Sequence, residues 1–425
     1  MKVMIIAQKC ADQCPTDDPI AEVRYEKLLI RLLREKVQGA IVYETKDETE
    51  NAFIREGLAY YPVKCRMDVD LPPEDWQETR RQLIRVIEDF SPDLIQCMGA
   101  EWPYGLIAES VSIPVVIHLM GFLNAYYPAL DMVLGYSAAA GIHQTDRKLR
   151  RLFTGCRNRL DEGKTETKNA PKRITDLNAL RECRIMAAVR YFMGRTEWDR
   201  NIVKYYAPGA KYYRVEELMK PCIYDAAGQW KFKKQTGRPL HLLTISSGDD
   251  RKGNEIILRT ALLLKELLKL PFVWRVAGHP SFFDRYEGIT GIHHSDVNVE
   301  LIGYIDGKHV VEELKDADLF IHPSMIDNSP HAVCEAQMIG CPVIASNVGG
   351  MTDLVEDQVT GFLYPYHEPH TLAFLIGNLY QEEKTLKSVS AREIQTAAQR
   401  HDPARIAQTL YQTYEDIISE YGKNV

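Results

Sequence analysis

Three short stretches carry side chains suited to a charged, hydroxyl-rich ligand. In TISSGDDRKGNEIILRTALLLKELL (244–268) an apolar run passes through a small polar turn into a long apolar helix. The turn holds Ser246, Ser247, Gly248, Arg251, Lys252 and Gly253. Free N–H groups and the positive dipole end at such a helix start suit phosphate, and Lys252 adds a full charge. GxxxxGK[ST] and the dinucleotide fingerprint are both absent, and an exposed Lys-Gly turn is the plain alternative.

In SMIDNSPHAVCEA (324–336), Pro330 suits the first helical position with Ser329 as N-cap, and the helix runs to Ile339 and stops at Gly340. His331 and Glu335, four apart, share one face, while Ala332, Val333 and Ala336 face the sheet. A carboxylate at Glu335 is placed to accept vicinal hydroxyls, as on a ribose. In GRTEWDR (194–200), Thr196 caps a helix with Asp199 reaching back. That leaves Arg195 at a strand end, where its planar fork suits a diphosphate; a structural pair with Glu197 or Asp199 is the alternative. Gly349-Gly350 either lets a backbone approach a ligand or makes a tight turn.

These junctions need strands to present them. VMIIAQ, GAIVY, GLAYYPV, DLIQCM, IPVVIHL and YFMG read as strands in the first half, with EVRYEKLLIRLLREK (22–36) as a helix. HLLTIS, FVWRVAG, NVELIG, DLFIHPS, PVIAS and GFLYP repeat the rhythm. Strand–helix alternation implies parallel sheets covered by helices on both faces, an α/β class, with ligands at the carboxyl ends of the strands. The length of 425 residues favours two domains. The expected division is 1–216, 217–403 and a final helix, 404–425, returning to the first domain.

A composition of 45% hydrophobic and 26% charged residues is ordinary for a globular protein, and a net charge of −7 argues against a nucleic-acid binder. Nine scattered cysteines, with Cys10 and Cys14 the only close pair, read as cytosolic thiols without a zinc site. MKVMIIAQKC is too short an apolar stretch for a signal peptide, and no apolar run reaches the ~20 residues of a spanning helix. A cytoplasmic location is expected. The basic stretch 146–160 is either a solvated helix face or a contact for phosphates or the inner membrane surface.

Lys252-Gly253, WRVAG (274–278), VELIGYI (299–305), ADLFIHPS (317–324) and the run from Asp327 to Pro365 together resemble glycosyltransferase family 4, whose fold is GT-B: two Rossmann-like domains facing across a cleft. GRTEWDR followed by GAKYYRV is similar to a branch found among capsule and surface-polysaccharide enzymes. The resemblance implies a retaining transfer of sugar from a UDP- or GDP-type donor to a hydroxyl, on a glycan or lipid-linked acceptor, with neither metal nor cofactor. It makes Glu335 the second acid of a Glu-x7-Glu signature, binding ribose, and Asp327 the shorter first acid. Lys252, with Arg195 or Arg251, would neutralise the diphosphate. Ser247, Gly248, Gly253, Gly278, Gly303, Tyr304, Ser329, Pro330 and His331 would line the donor site, with the N–H groups of Ala332 and Val333 on phosphate or sugar oxygens. His118, Met120 and Gly121 would lie on the acceptor side.

Departures from the pattern sit mostly in the first half. KCADQCPTDDP stands where relatives have a glycine-rich loop, Met120 where they carry His or Gln, and Ser247 where many carry Arg. A non-catalytic nucleotide-sugar or glycan-binding partner is therefore the main rival, with a GT-B epimerase or hydrolase another. Asp68-Val69-Asp70, a DxD of the metal-dependent type, would leave the second half unexplained.

Overall fold

The computed structural model describes residues 1–7, 37–45, 51–63, 76–129, 174–234, 237–246 and 250–424. The expected helix 22–36, Cys10 and Cys14, Asp68–Asp70, the basic stretch 146–160, and the donor candidates Ser247 and Gly248 lie outside the described residues.

The first sheet has eight strands: β1 (Lys2–Ile6), β2 (Gln38–Glu44), β3 (Phe53–Arg55), β4 (Leu58–Val63), β5 (Leu94–Met98), β6 (Val115–His118), β7 (Tyr191–Gly194) and β8 (Lys211–Arg214). Their order is β3-β4-β2-β1-β5-β6-β7-β8, and only the β3–β4 pair is antiparallel. Every residue of β5, β6 and β7 is buried, as expected of strands covered on both faces, which is why they read as unbroken apolar runs. β3 and β8 were not expected. β3 joins β4 through Glu56-Gly57, both at positive φ (50° and 85°), the turn twist that hairpins favour. The edge strand β8, KYYR, is nowhere buried and so carries little apolar signal.

The second sheet has six parallel strands: β9 (Leu240–Ile245), β10 (Phe272–Ala277), β11 (Val299–Gly303), β12 (Leu319–His322), β13 (Val343–Ser346) and β14 (Phe362–Tyr364). They lie in the order β11-β10-β9-β12-β13-β14. Six helices matter below: α1 (Glu197–Tyr206), α2 (Asn254–Leu262), α3 (Ser281–Thr290), α4 (His331–Ile339), α5 (Glu383–Arg400) and α6 (Pro403–Asn424). Each sheet has its own core; the second runs from Met219 to Ala397. α6 leaves that core. Its buried stripe Ile406, Leu410, Tyr414 and Ile417 packs with Val3, Leu94, Val116 and Tyr191 of the first sheet, and the Tyr414 hydroxyl donates to Gln96 (2.5 Å).

The carboxyl-end loops of the two sheets meet. Thr196, after β7, donates to Asn328, after β12 (Oγ1 to Oδ1, 2.7 Å), and the Asn328 amide donates to Asp199 (3.1 Å). The Glu197 N–H donates to Asp353 (3.0 Å). Gly349-Gly350 serves this packing. A Cβ on Gly349 would lie 2.0 Å from the Asp327 carbonyl oxygen, and one on Gly350 would lie 2.2 Å from that of Asn328. The glycine pair thus seats the loop after β13 against the loop after β12. Among the described residues no helix is long and apolar enough to cross a membrane.

Candidate donor and acceptor site

The Lys252 turn sits on the loop after β12. Gly253, at φ 76°, precedes α2, and a Cβ there would fall 1.9 Å from the Pro323 carbonyl oxygen. Only glycine allows both the left-handed backbone and that approach. The contact brings Lys252 Nζ to 2.6 Å from Asp327 Oδ2. His322 Nε2 reaches the same oxygen (3.0 Å) and also lies 2.9 Å from Ser324 Oγ, while Asp327 Oδ1 accepts from the Asn328 N–H (3.1 Å). Burial works to raise the Asp327 pKa, but Lys252 and His322 outweigh it and hold the carboxyl far below the usual range. Asp327 is thus an ionised anchor that orients Lys252.

α4 starts one residue later than the sequence suggests. Pro330 (φ −65°, ψ 127°) is the N-cap and His331 opens the helix, so Ser329, 4% exposed, does not cap it. The N–H of Val333 donates to the Pro330 carbonyl (3.1 Å) and is not turned outward to a ligand. Gly340 ends the helix at φ 90°, as expected. Glu335 and His331 face the segment that joins the two sheets. Glu335 pairs with Lys220 (3.2 Å), and His331 lies 2.5 Å from the Glu217 carboxylate.

The Arg195 side chain is held inside the protein. It is 4% exposed and its guanidinium donates to Glu217 (3.0 Å). Its backbone N–H donates to Asp199, inside the expected capping box of Thr196 on α1. Glu217 therefore collects Arg195, His331 and, at 3.8 Å, His118. Burial opposes its charge, yet Arg195 and His331 keep its pKa well below the usual value. His118 is fully buried, and that burial lowers its pKa to about 4, so it is neutral at pH 7. Met120 packs beside Ile5 and Tyr43.

Near the acceptor candidate Gly121 the structure brings forward residues that were not singled out. Glu101 follows β5 and is partly buried. Burial raises its pKa against the opposing pull of backbone N–H groups and Arg251. Gly121 lies against both Glu101 and Tyr126. The Arg251 guanidinium stacks on the Tyr126 ring (4.1 Å to the centroid), joining the Lys252 turn to the helical segment 123–129. Glu182 fixes that segment by accepting from the N–H groups of Leu123 and Asn124 (both 2.8 Å). Glu101 stands just after an apolar strand, so the rule that flagged Arg195 would have found it; Glu182 offered no local signal.

The remaining donor candidates sit at the ends of β10 and β11. Gly278 donates its N–H to the Gly303 carbonyl (2.9 Å), and Tyr304 is 65% exposed, edge-on to His279 (5.9 Å). Ala332 is half-buried beside Val333 on α4.

With this geometry in view, residues 228–396 match the family model described as glycosyl transferases group 1. The match takes in the second sheet and most of its core. An amylovoran biosynthesis glycosyltransferase of Erwinia amylovora is 26% identical over 194 residues, 44% of this chain and 46% of the relative. The chain spans less than half the length of the curated relatives it matches first. Sucrose-phosphate synthase from Thermosynechococcus elongatus superposes with a TM-score of 0.71 at 13% identity, covering 99% of each chain. Anabaena HepE in complex with UDP-glucose gives 0.63 at 13% identity, over 98% of this chain and 100% of that one. At such identities the likeness is one of fold, and the two facing parallel-sheet domains are the GT-B arrangement.

Proposed function

We propose that the protein is a retaining glycosyltransferase of family 4 type. It moves a sugar from a nucleoside-diphosphate sugar of the UDP or GDP kind to an acceptor hydroxyl in surface-glycan synthesis. The observation that carries this reading is the Lys252–Asp327–His322 cluster, which faces Arg251, Tyr126 and Glu101 where the carboxyl ends of the two sheets meet. The amylovoran relative supports the surface-glycan assignment, and the fold shared with a UDP-glucose complex supports the donor class.

In the reaction the anomeric C–O bond to the diphosphate breaks and a C–O bond to the acceptor oxygen forms on the same face. Retention places nucleophile and leaving group side by side, so the departing diphosphate oxygen can take the hydroxyl proton. Negative charge grows on that leaving group, and fixed cations aimed at it lower the barrier. Lys252, held by Asp327, and Arg251, held over Tyr126, have this role, without a metal ion. Arg195 acts at one remove, through the Glu217 cluster that positions α4. Glu335 on α4 is assigned to the donor ribose, with Lys220 as its partner until donor binds. On the acceptor side Glu101 replaces His118 as the favoured ligand for a hydroxyl. A cytoplasmic location with peripheral membrane contact through 146–160 completes the proposal.

A melting panel with UDP, GDP, ADP and CMP tests the donor site. A nucleotide at about 100 times its Kd stabilises by about 2.7 kcal/mol, and no shift with any of the four sinks the assignment. The rival, a non-catalytic binder, separates on turnover: surface-glycan acceptors accelerate nucleotide release from a sugar donor only for a transferase.

A further inference from the structure

Away from the cleft, the described residues bring together one group of three metal-ligating side chains: Glu287, His293 and His294. α3 leaves the carboxyl end of β10 and returns along the sheet before the parallel strand β11 begins. Its last turn, which carries Glu287, therefore lies at the end of the sheet opposite Lys252 and Asp327. Gly291 ends α3 in the left-handed conformation (φ 69°), and the Ile292 N–H is held by Thr290 Oγ1 (3.2 Å). The chain thus folds back at once, and both histidines land on the glutamate.

The geometry is already close to that of a coordination shell. His293 Nε2 is 3.6 Å from Glu287 Oε2, His294 Nδ1 is 2.5 Å from Oε1, and all ligand atoms lie within 4.8 Å of one another. Zn–N and Zn–O bonds of about 2.0–2.2 Å in a tetrahedron put neighbouring ligand atoms about 3.3 Å apart. The first distance fits as it stands; the second is a hydrogen bond that opens when the metal takes its place. The groups around the ligands hold them in place. The His294 backbone N–H donates to Glu287 Oε1 (2.9 Å), and His293 Nδ1 accepts from the Ser295 N–H (3.3 Å) with Ser295 Oγ 2.8 Å away. This orients the ring with Nε2 toward Glu287; metal binding takes the proton from Nε2, and Nδ1–H then donates to Ser295 Oγ.

We propose that Glu287, His293 and His294 bind one Zn2+-type divalent transition-metal ion, with water completing the shell, at a structural site separate from the cleft. Two imidazoles and a carboxylate suit Zn2+, whereas Mg2+ and Ca2+ demand shells of oxygen. The ion ties the end of α3 to the entry of the edge strand β11, a place where a 3-10 turn, His294–Val297, makes the connection.

The test is a titration of the full-length, chelator-stripped protein with Zn2+ against a chromophoric chelator, for wild type, His293→Ala and Glu287→Gln. Because the chain has nine cysteines that can also take zinc, the reading is the difference between proteins. Wild type is expected to bind one equivalent more than either variant, and saturating Zn2+ is expected to raise its Tm but not theirs. His293 is 54% exposed, so His293→Ala decides the matter even if Glu287→Gln folds poorly. Equal stoichiometry and equal melting shifts in wild type and His293→Ala overturn the proposal.

Discussion

Lys252 Nζ lies 2.6 Å from Asp327 Oδ2, which ties the turn before α2 to the loop after β12. The shorter acid at 327 puts its carboxylate on the lysine and on His322 together. Removing the cation should cost chemistry as well as stability. Lys252→Ala is expected to lower kcat for donor turnover by about 10²–10³, and to lower Tm because the buried Asp327 carboxylate keeps only His322 as its opposite charge. Asp327→Asn keeps the shape but releases the lysine, and should give a smaller loss. Equal activity in Lys252→Ala and wild type, by nucleotide-release assay, refutes the assignment.

Glu101 predicts a different split. As a ligand for the acceptor hydroxyl it should govern the acceptor's KM and leave nucleotide binding alone. Glu101→Gln is expected to raise that KM about tenfold or more, while UDP or GDP melting shifts stay as in wild type. A weakened nucleotide shift would move Glu101 to the donor side.

Glu217 holds Arg195 and His331 from inside the junction between the two sheets, at 2% side-chain exposure. Glu217→Gln leaves a buried guanidinium without its counter-charge, a change that costs about 3–5 kcal/mol. Urea unfolding at pH 7 measures it. The pKa values of Glu217 and Asp327 are both depressed in the folded protein, so their stabilisation is present above the unfolded value near 4 and is lost as pH falls below it. The gap between wild type and Glu217→Gln should therefore narrow in acid.

Glu393 on α5 carries the opposite sign. It is fully buried, and burial pushes its pKa well above the ordinary range. Its neutral form is the one that folds. Below the unfolded value near 4.3 nothing is lost; as pH rises above it the unfolded chain ionises and the folded one does not, at about 1.4 kcal/mol per pH unit. Glu393→Gln should accordingly gain in Tm over wild type between pH 5 and pH 8. A difference that is flat with pH would show that Glu393 is ionised in the folded protein.

Much of the frame was legible because parallel interior strands are buried on both faces and announce themselves as apolar runs, as in LIQCM and VVIH. The Thr196–Asp199 box and the stop at Gly340 were legible for a related reason: a cap uses residues within four of one another. The edge strands β3 and β8 escaped, since a strand with little buried surface leaves little pattern. The start of α4 was misplaced by one residue, because Pro330 takes the cap conformation itself.

Local chemistry, then, is what the chain by itself determined: a Lys-Gly turn, a helix carrying Glu335 and a strand end carrying Arg195, all expected at the carboxyl edges of two sheets. Tertiary structure decided which partners those groups meet. Arg195 is paired with Glu217 across 22 residues, Lys252 with Asp327 across 75, and Thr196 with Asn328 across 132. No periodicity encodes such separations. They arise when buried charges, costly alone, settle on whichever opposite charge the packed sheets bring within reach.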